Sequence, residues 1–314
     1  MNAPLALAAF ALVLGLVVAP ALRASDWPVR APGLGIVAWL VVSVSILGSM
    51  ILTGLALAVP ELPDADGLAA FFHACSDAVQ EHYATAGGAA IAISGALLAA
   101  FLMIRASVIA TLQFRRRRCE RDRHRQMIDL VGRPLAGSQA VVVDHPERTA
   151  YAVPGRHGRI VVSSSSLAAL TPSQLQVVIG HEAAHLRYRH SWAIAISDVV
   201  STTTGGLLGT RTARAAIGEL VEMHADDAVD SGRRADLADA VLVLVGGARA
   251  IGALNAAHEH VVERITRLRV ARRPIAVPVR AVAGLVVICT ALIPIALAMF
   301  PALEAIAQHY CPLV

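Results

Sequence analysis

Four apolar runs leave this chain few ways to fold. Residues 3–22, 34–59, 86–104 and 279–300 are almost free of charge, and each approaches the ~20 residues that a helix needs to cross the hydrocarbon core of a bilayer. Backbone amides and carbonyls find no water at that depth, so such runs are expected as helices. The rest of the composition agrees. Of 314 residues 56% are hydrophobic and 16% charged, whereas soluble domains carry about 25% charged residues. The charges that remain crowd into residues 114–274, a length that can bury a core of its own. The expected fold is mainly α: four transmembrane helices, three before and one after an α+β domain with a small sheet. Residues 1–113 hold three spans with an external loop at 60–85, residues 114–278 the domain, and 279–314 the last span and a tail.

Basic residues near span ends stay on the cytoplasmic side. Arg23 and Arg30 lie between the first two runs, Arg115–Arg118 with Arg121, Arg123 and Arg125 follow the third, and Arg272, Arg273 and Arg280 precede the fourth. The loop between the second and third runs has acids and no Lys or Arg. These signs agree on a multi-pass protein of the cell membrane with its domain in the cytoplasm and both termini outside. The first run lacks a basic leader and is long for a signal peptide, so a span is preferred to a cleaved segment. Cys75 and Cys311 would both face outside, where disulfides persist, and either a bridge between them or two separate free thiols is expected; Cys119 would be cytoplasmic and Cys289 within the fourth span. The arginine run at 115–118 is read as an anchor to anionic lipid rather than a nucleic-acid surface.

Within the domain, residues 105–130 continue the third helix outward to a stop near Gly132–Pro134. Runs at 139–145, 149–153 and 159–165 suit strands, with PGRHG at 154–158 as a turn. Thr171, Pro172 and Gln174 form a helix start with a capping box, and that helix is expected to run to about residue 190. Further helices are expected at 212–230 and 234–251, with 201–210 as a flexible connection.

The chemistry concentrates in HEAAH at 181–185. His181 and His185 stand four apart, so both imidazoles leave one helix face at a spacing suited to a single Zn²⁺. Glu182 beside them is placed to take a proton from water. Five residues can match such a pattern by chance, and the second signal is what separates the two readings. A catalytic zinc site needs a third protein ligand. A histidine six residues beyond His185 is missing, since Ser191 stands there and His190 is one short. ELVEMHADDAV at 219–229 supplies carboxylates instead. Glu222 and Asp226 share a helix face, Glu222 as third ligand and Asp226 to orient a ligand histidine from behind.

HEAAH followed by EMHAD resembles the integral-membrane gluzincin metallopeptidases. YAVPGRHGRIVVSSSSLAAL, HEAAHLRYRH and EMHAD follow the order of the HtpX and CAAX-protease branch. That branch also carries a histidine six residues before an R-I-x-x-L run, which would make His258, ahead of Arg264–Leu268, a group that stabilises the transition state; the alternative is a surface histidine. Thr149 replaces an asparagine common there. Three spans before the domain and one after resemble the BlaR/MecR antirepressors instead. No penicillin-binding sensor domain follows the fourth span here, so β-lactam sensing through one is not expected. The resemblance implies one zinc per chain, a protein substrate whose backbone pairs with an edge strand at 159–164, and either repressor cleavage in signal transduction or membrane quality control. A non-catalytic scaffold is the third class. Nothing in the sequence fixes the oligomeric state.

Overall fold

The computed structural model describes residues 3–58, 85–155, 158–247, 254–270 and 274–310. Cys75, Cys311 and the external loop from residue 60 to 84 lie outside them, and with them any bridge between the two cysteines. Among the described residues Cys119 and Cys289 are free.

Four helices are long and apolar enough to cross a membrane. They are α1 (Ala3–Ala24, with a wider π turn at Leu14–Val18), α3 (Pro32–Ala58), α4 (Ala86–Val131) and α11 (Val277–Tyr310). These four spans suggest a multi-pass membrane protein. A short helix, α2 (Trp27–Arg30), joins the first two. Small residues let the spans approach: a Cβ at Gly54 of α3 would stand 2.7 Å from the Gly95 carbonyl of α4. Ser45 of α3 donates to the Thr290 carbonyl of α11 at 3.2 Å.

As expected, α4 runs unbroken from the third span into the domain, 46 residues in all. Its far end carries Ile128, which packs on Val141, Val153 and Val161 of a four-stranded sheet. The strands are β1 (Arg133–Pro134), β2 (Ala140–Val143), β3 (Ala150–Val153) and β4 (Arg159–Ser163). Their order is β1-β2-β4-β3, with β2 parallel to β4 and β3 antiparallel to it. This corrects the expected docking strand: residues 159–163 are hydrogen-bonded on both sides, and the edge beyond them is β3. Strand order depends on long-range pairing, which local hydrophobic patterns do not encode.

After the short α5 (Ser164–Ala169), α6 (Pro172–Arg187) begins at the expected capping box, with both reciprocal hydrogen bonds formed. It ends three residues before the expected stop. Arg189 takes a left-handed conformation (φ 52°), which re-aims the chain. A further helix then follows, α7 (His190–Thr203), of which only the tail was expected as flexible connection. α8 (Thr210–Asp226), α9 (Arg234–Gly247) and α10 (Leu254–Arg269) complete the domain.

Two separate cores result. Val177, Val178, Leu237, Ala238 and Val241 fill the space between α6 and α9. α8 instead joins the spans: Ala213, Ala216, Ile217 and Leu220 form one cluster with Leu14, Ile36, Trp39, Val42 and Ile46.

Candidate metal centre

α6 and α8 each bring half of a metal site. His181 and His185, one turn apart on α6, point their Nε2 atoms to within 3.1 Å of each other. Glu222 of α8 lies 3.5 Å from His181 Nε2 and 3.6 Å from His185 Nε2. Ligands about 2.0–2.1 Å from a tetrahedral zinc are about 3.3 Å from one another, so these separations fit the edges of one coordination tetrahedron. Among the described residues this is the group of histidine and acidic side chains that could hold an ion. Three of the ligands expected from sequence therefore converge.

The outward nitrogens of both imidazoles face polar side chains. His181 Nδ1 lies 3.0 Å from the Asp226 carboxylate, which is fully buried. Asp226 in turn accepts two hydrogen bonds from Arg264 of α10, at 3.0 and 2.8 Å. The same guanidinium reaches Glu222 at 2.9 Å. Asp226 thus stands behind a histidine, whereas Arg264 entered the sequence reading only as a spacing mark.

His185 is held differently. Its Nδ1 lies 3.0 Å from His190 Nδ1, and His190 Nε2 lies 3.0 Å from His224 Nδ1. The kink at Arg189 turns His190 back toward the α6 face. A lone pair on His185 Nε2 requires the proton on Nδ1, which then donates to His190, and His190 Nε2–H to His224. His224 stacks on Tyr188, with ring centroids 4.3 Å apart. Its Nε2 lies against Gly33 at the first turn of α3, where a Cβ would come within 3.0 Å. Sequence reading set His190 aside as a ligand and gave His224 no role. Their spacing to His185 carries the signal only once the break between α6 and α7 is known.

The electrostatics suit a cation. Burial lowers the His181 pKa, but Asp226 and Glu222 overturn that and raise it to about 9, so a proton is held where a metal would put positive charge. Burial opposes ionisation of Asp226 too, yet His181 and Arg264 bring it down to about 2. Burial pushes His185 down to about 4 and His190 to about 3, leaving those two imidazoles neutral. Glu182 is raised to about 7, first by burial; its carboxylate accepts a hydrogen bond from the Ala152 backbone N–H on β3. The side chain of His258 lies outside the described residues; its backbone belongs to α10.

A helix-borne pair of histidines, a carboxylate from a second helix and a small sheet alongside define a zincin-like arrangement on a membrane-spanning frame. The sequence model of peptidase family M48 matches residues 113–223, from the base of α4 through Glu222. This family domain supports a metallopeptidase function. No curated protein and no solved structure matches the chain.

Proposed function

We propose that this protein is a zinc-dependent endopeptidase of the gluzincin type, holding one Zn²⁺ on His181, His185 and Glu222. The observation that carries the reading is the convergence of these three donors at tetrahedral spacing, inside the segment that matches a metallopeptidase family. Zinc in this site supplies Lewis acidity toward the scissile carbonyl and lowers the pKa of water.

The chain's own groups do the rest. Glu182 takes the proton of the attacking water at a carboxylate oxygen, then returns it to the leaving amide nitrogen. Its pKa near 7 suits both transfers. Asp226 and His190 fix the two imidazoles from behind, and Arg264 keeps Asp226 and Glu222 ionised. The free edge of β3, beside Glu182, aligns the substrate backbone by β-augmentation. His258, on α10 with Arg264, is assigned to stabilise the transition state by the resemblance alone.

The substrate is a cytoplasmic or membrane protein, and the three-before, one-after order of spans favours a transcriptional repressor cleaved in signal transduction. The basic flanks support a cytoplasmic domain with the C-terminus outside. The test is metal content and proteolysis of detergent-purified protein, wild type beside Glu182→Gln. Zinc in both, with cleavage of a casein-like substrate or of a co-expressed repressor in wild type alone, is the expected result. Folded protein without zinc in either form would overturn the proposal.

A further inference from the structure

The α7–α8 hairpin meets the spans where water should be absent. α1 has 22 residues, about 33 Å of helix, against a hydrocarbon core of about 30 Å. It has no length to spare, so Gly15, eight residues inward from Arg23, lies about 12 Å into the bilayer. Leu208 and Gly209, in the turn between α7 and α8, sit against that stretch. A Cβ at Gly15 would stand 2.6 Å from Leu208 Cβ, and one at Gly209 would stand 2.9 Å from Ala19 Cβ.

A second contact ties the hairpin to the end of a span. Arg105 closes the apolar run 86–104 of α4, twelve residues or about 18 Å before Arg117. Its guanidinium donates to the Thr202 and Thr203 carbonyls at 3.0 and 2.9 Å. These are last-turn carbonyls of α7, where the helix dipole is negative, a fitting partner for a cation in a low-dielectric layer.

Several of the turn's polar groups pair within it. Gly206 N–H donates to Ser201 O (2.7 Å), Leu207 N–H to Thr204 O (3.3 Å) and Thr210 N–H to Leu207 O (3.1 Å). The Thr204 and Thr210 hydroxyls bond each other at 2.7 Å and reach the Val200 and Leu207 carbonyls. Pairing of this kind lowers the cost of placing backbone in lipid.

We infer that α7 and α8 form a re-entrant hairpin that enters the bilayer from the side of the peptidase domain, with residues 204–209 as its buried tip. Its lipid face is formed by Trp192, Ile196 and Leu207, which are 54%, 40% and 65% exposed and would rest against acyl chains. Trp192 pairs with Phe114 of α4, ring centroids 6.0 Å apart, as aromatic residues do at the membrane boundary. The opposite face lines a polar cavity of about 710 Å³ bounded by Arg117, Asp198, Arg211 and Arg214. Asp198 pairs there with both Arg117 and Arg214, one acid between two of the arginines that line the cavity. Because Glu219 binds Arg23 at 2.6 Å and His224 abuts Gly33, the ligand Glu222 sits level with the ends of the spans.

The test is spin labelling of single cysteines, with the four native ones changed to serine, in phosphatidylcholine–phosphatidylglycerol vesicles. Labels at Leu207→Cys and at Leu97→Cys, a span reference, are expected to be more accessible to oxygen than to a nickel chelate, and Arg211→Cys the reverse. Chelate accessibility at Leu207 equal to that at Arg187→Cys, on exposed α6 surface, overturns the inference. The chain with its own cysteines gives an independent reading: brominated lipid should quench a fluorescence component that Trp192→Phe removes. Unchanged quenching in that variant sinks the idea equally.

Discussion

The two helices that carry the proposed metal ligands rest on different parts of the fold. α6 rests on the sheet and on α9, in a core like that of a small soluble domain. α8 rests on the first two spans. The ligands therefore lie on a seam between two cores, and the site exists only while the cores are held in register. Such a site should be most sensitive to groups that cross the seam and least to groups within either side.

The largest effect is expected for Glu222→Ala, which deletes the one ligand from the span side. Metal analysis of the purified variant should fall from one zinc per chain to almost none, with proteolysis lost. Next is Arg264→Met. It strips the buried Asp226 of its guanidinium, and removing one partner of a buried pair costs about 3–5 kcal/mol. A lowered thermal midpoint in detergent, together with weakened zinc binding, is the expected reading; an unchanged midpoint would mean that the seam does not depend on this pair. His190→Ala should cost about 10–100-fold in zinc affinity or activity and leave the fold intact, which competition with a chelator of known affinity measures. The smallest effect belongs to Thr171→Ala. Losing this cap should lower stability by about 1 kcal/mol, with metal content unchanged, because the change stays within the α6 core. Should Thr171→Ala disturb the metal more than His190→Ala, the two-core view is wrong.

The same division explains what could be read from sequence. The start of α6, its ligand spacing and the Glu222–Asp226 pair are local: capping boxes and i, i+4 faces require only helix geometry. The four spans follow from length and composition. Arg264, His190 and His224 are different, since each reaches the site through a tertiary approach or through the left-handed Arg189. α7 was missed because SWAIAISDVVSTT lacks a capping side chain, and its apolar residues face protein on one side only. The order of β3 and β4 was beyond local patterns for a similar reason. Both strands look alike in sequence, yet only one is an edge.

One long element joins the third candidate span to the sheet. α4 has no break over its 46 residues, about 69 Å, and its tip carries Ile128 in the sheet core. It can thus serve as a lever. Pivoting at its outer end by about 5° would swing the tip by about 6 Å, more than the spacing between two neighbouring strands. A modest change in tilt at the far end of this helix would arrive at β3 and Glu182 as a whole-strand displacement, with no messenger but the stiffness of one helix.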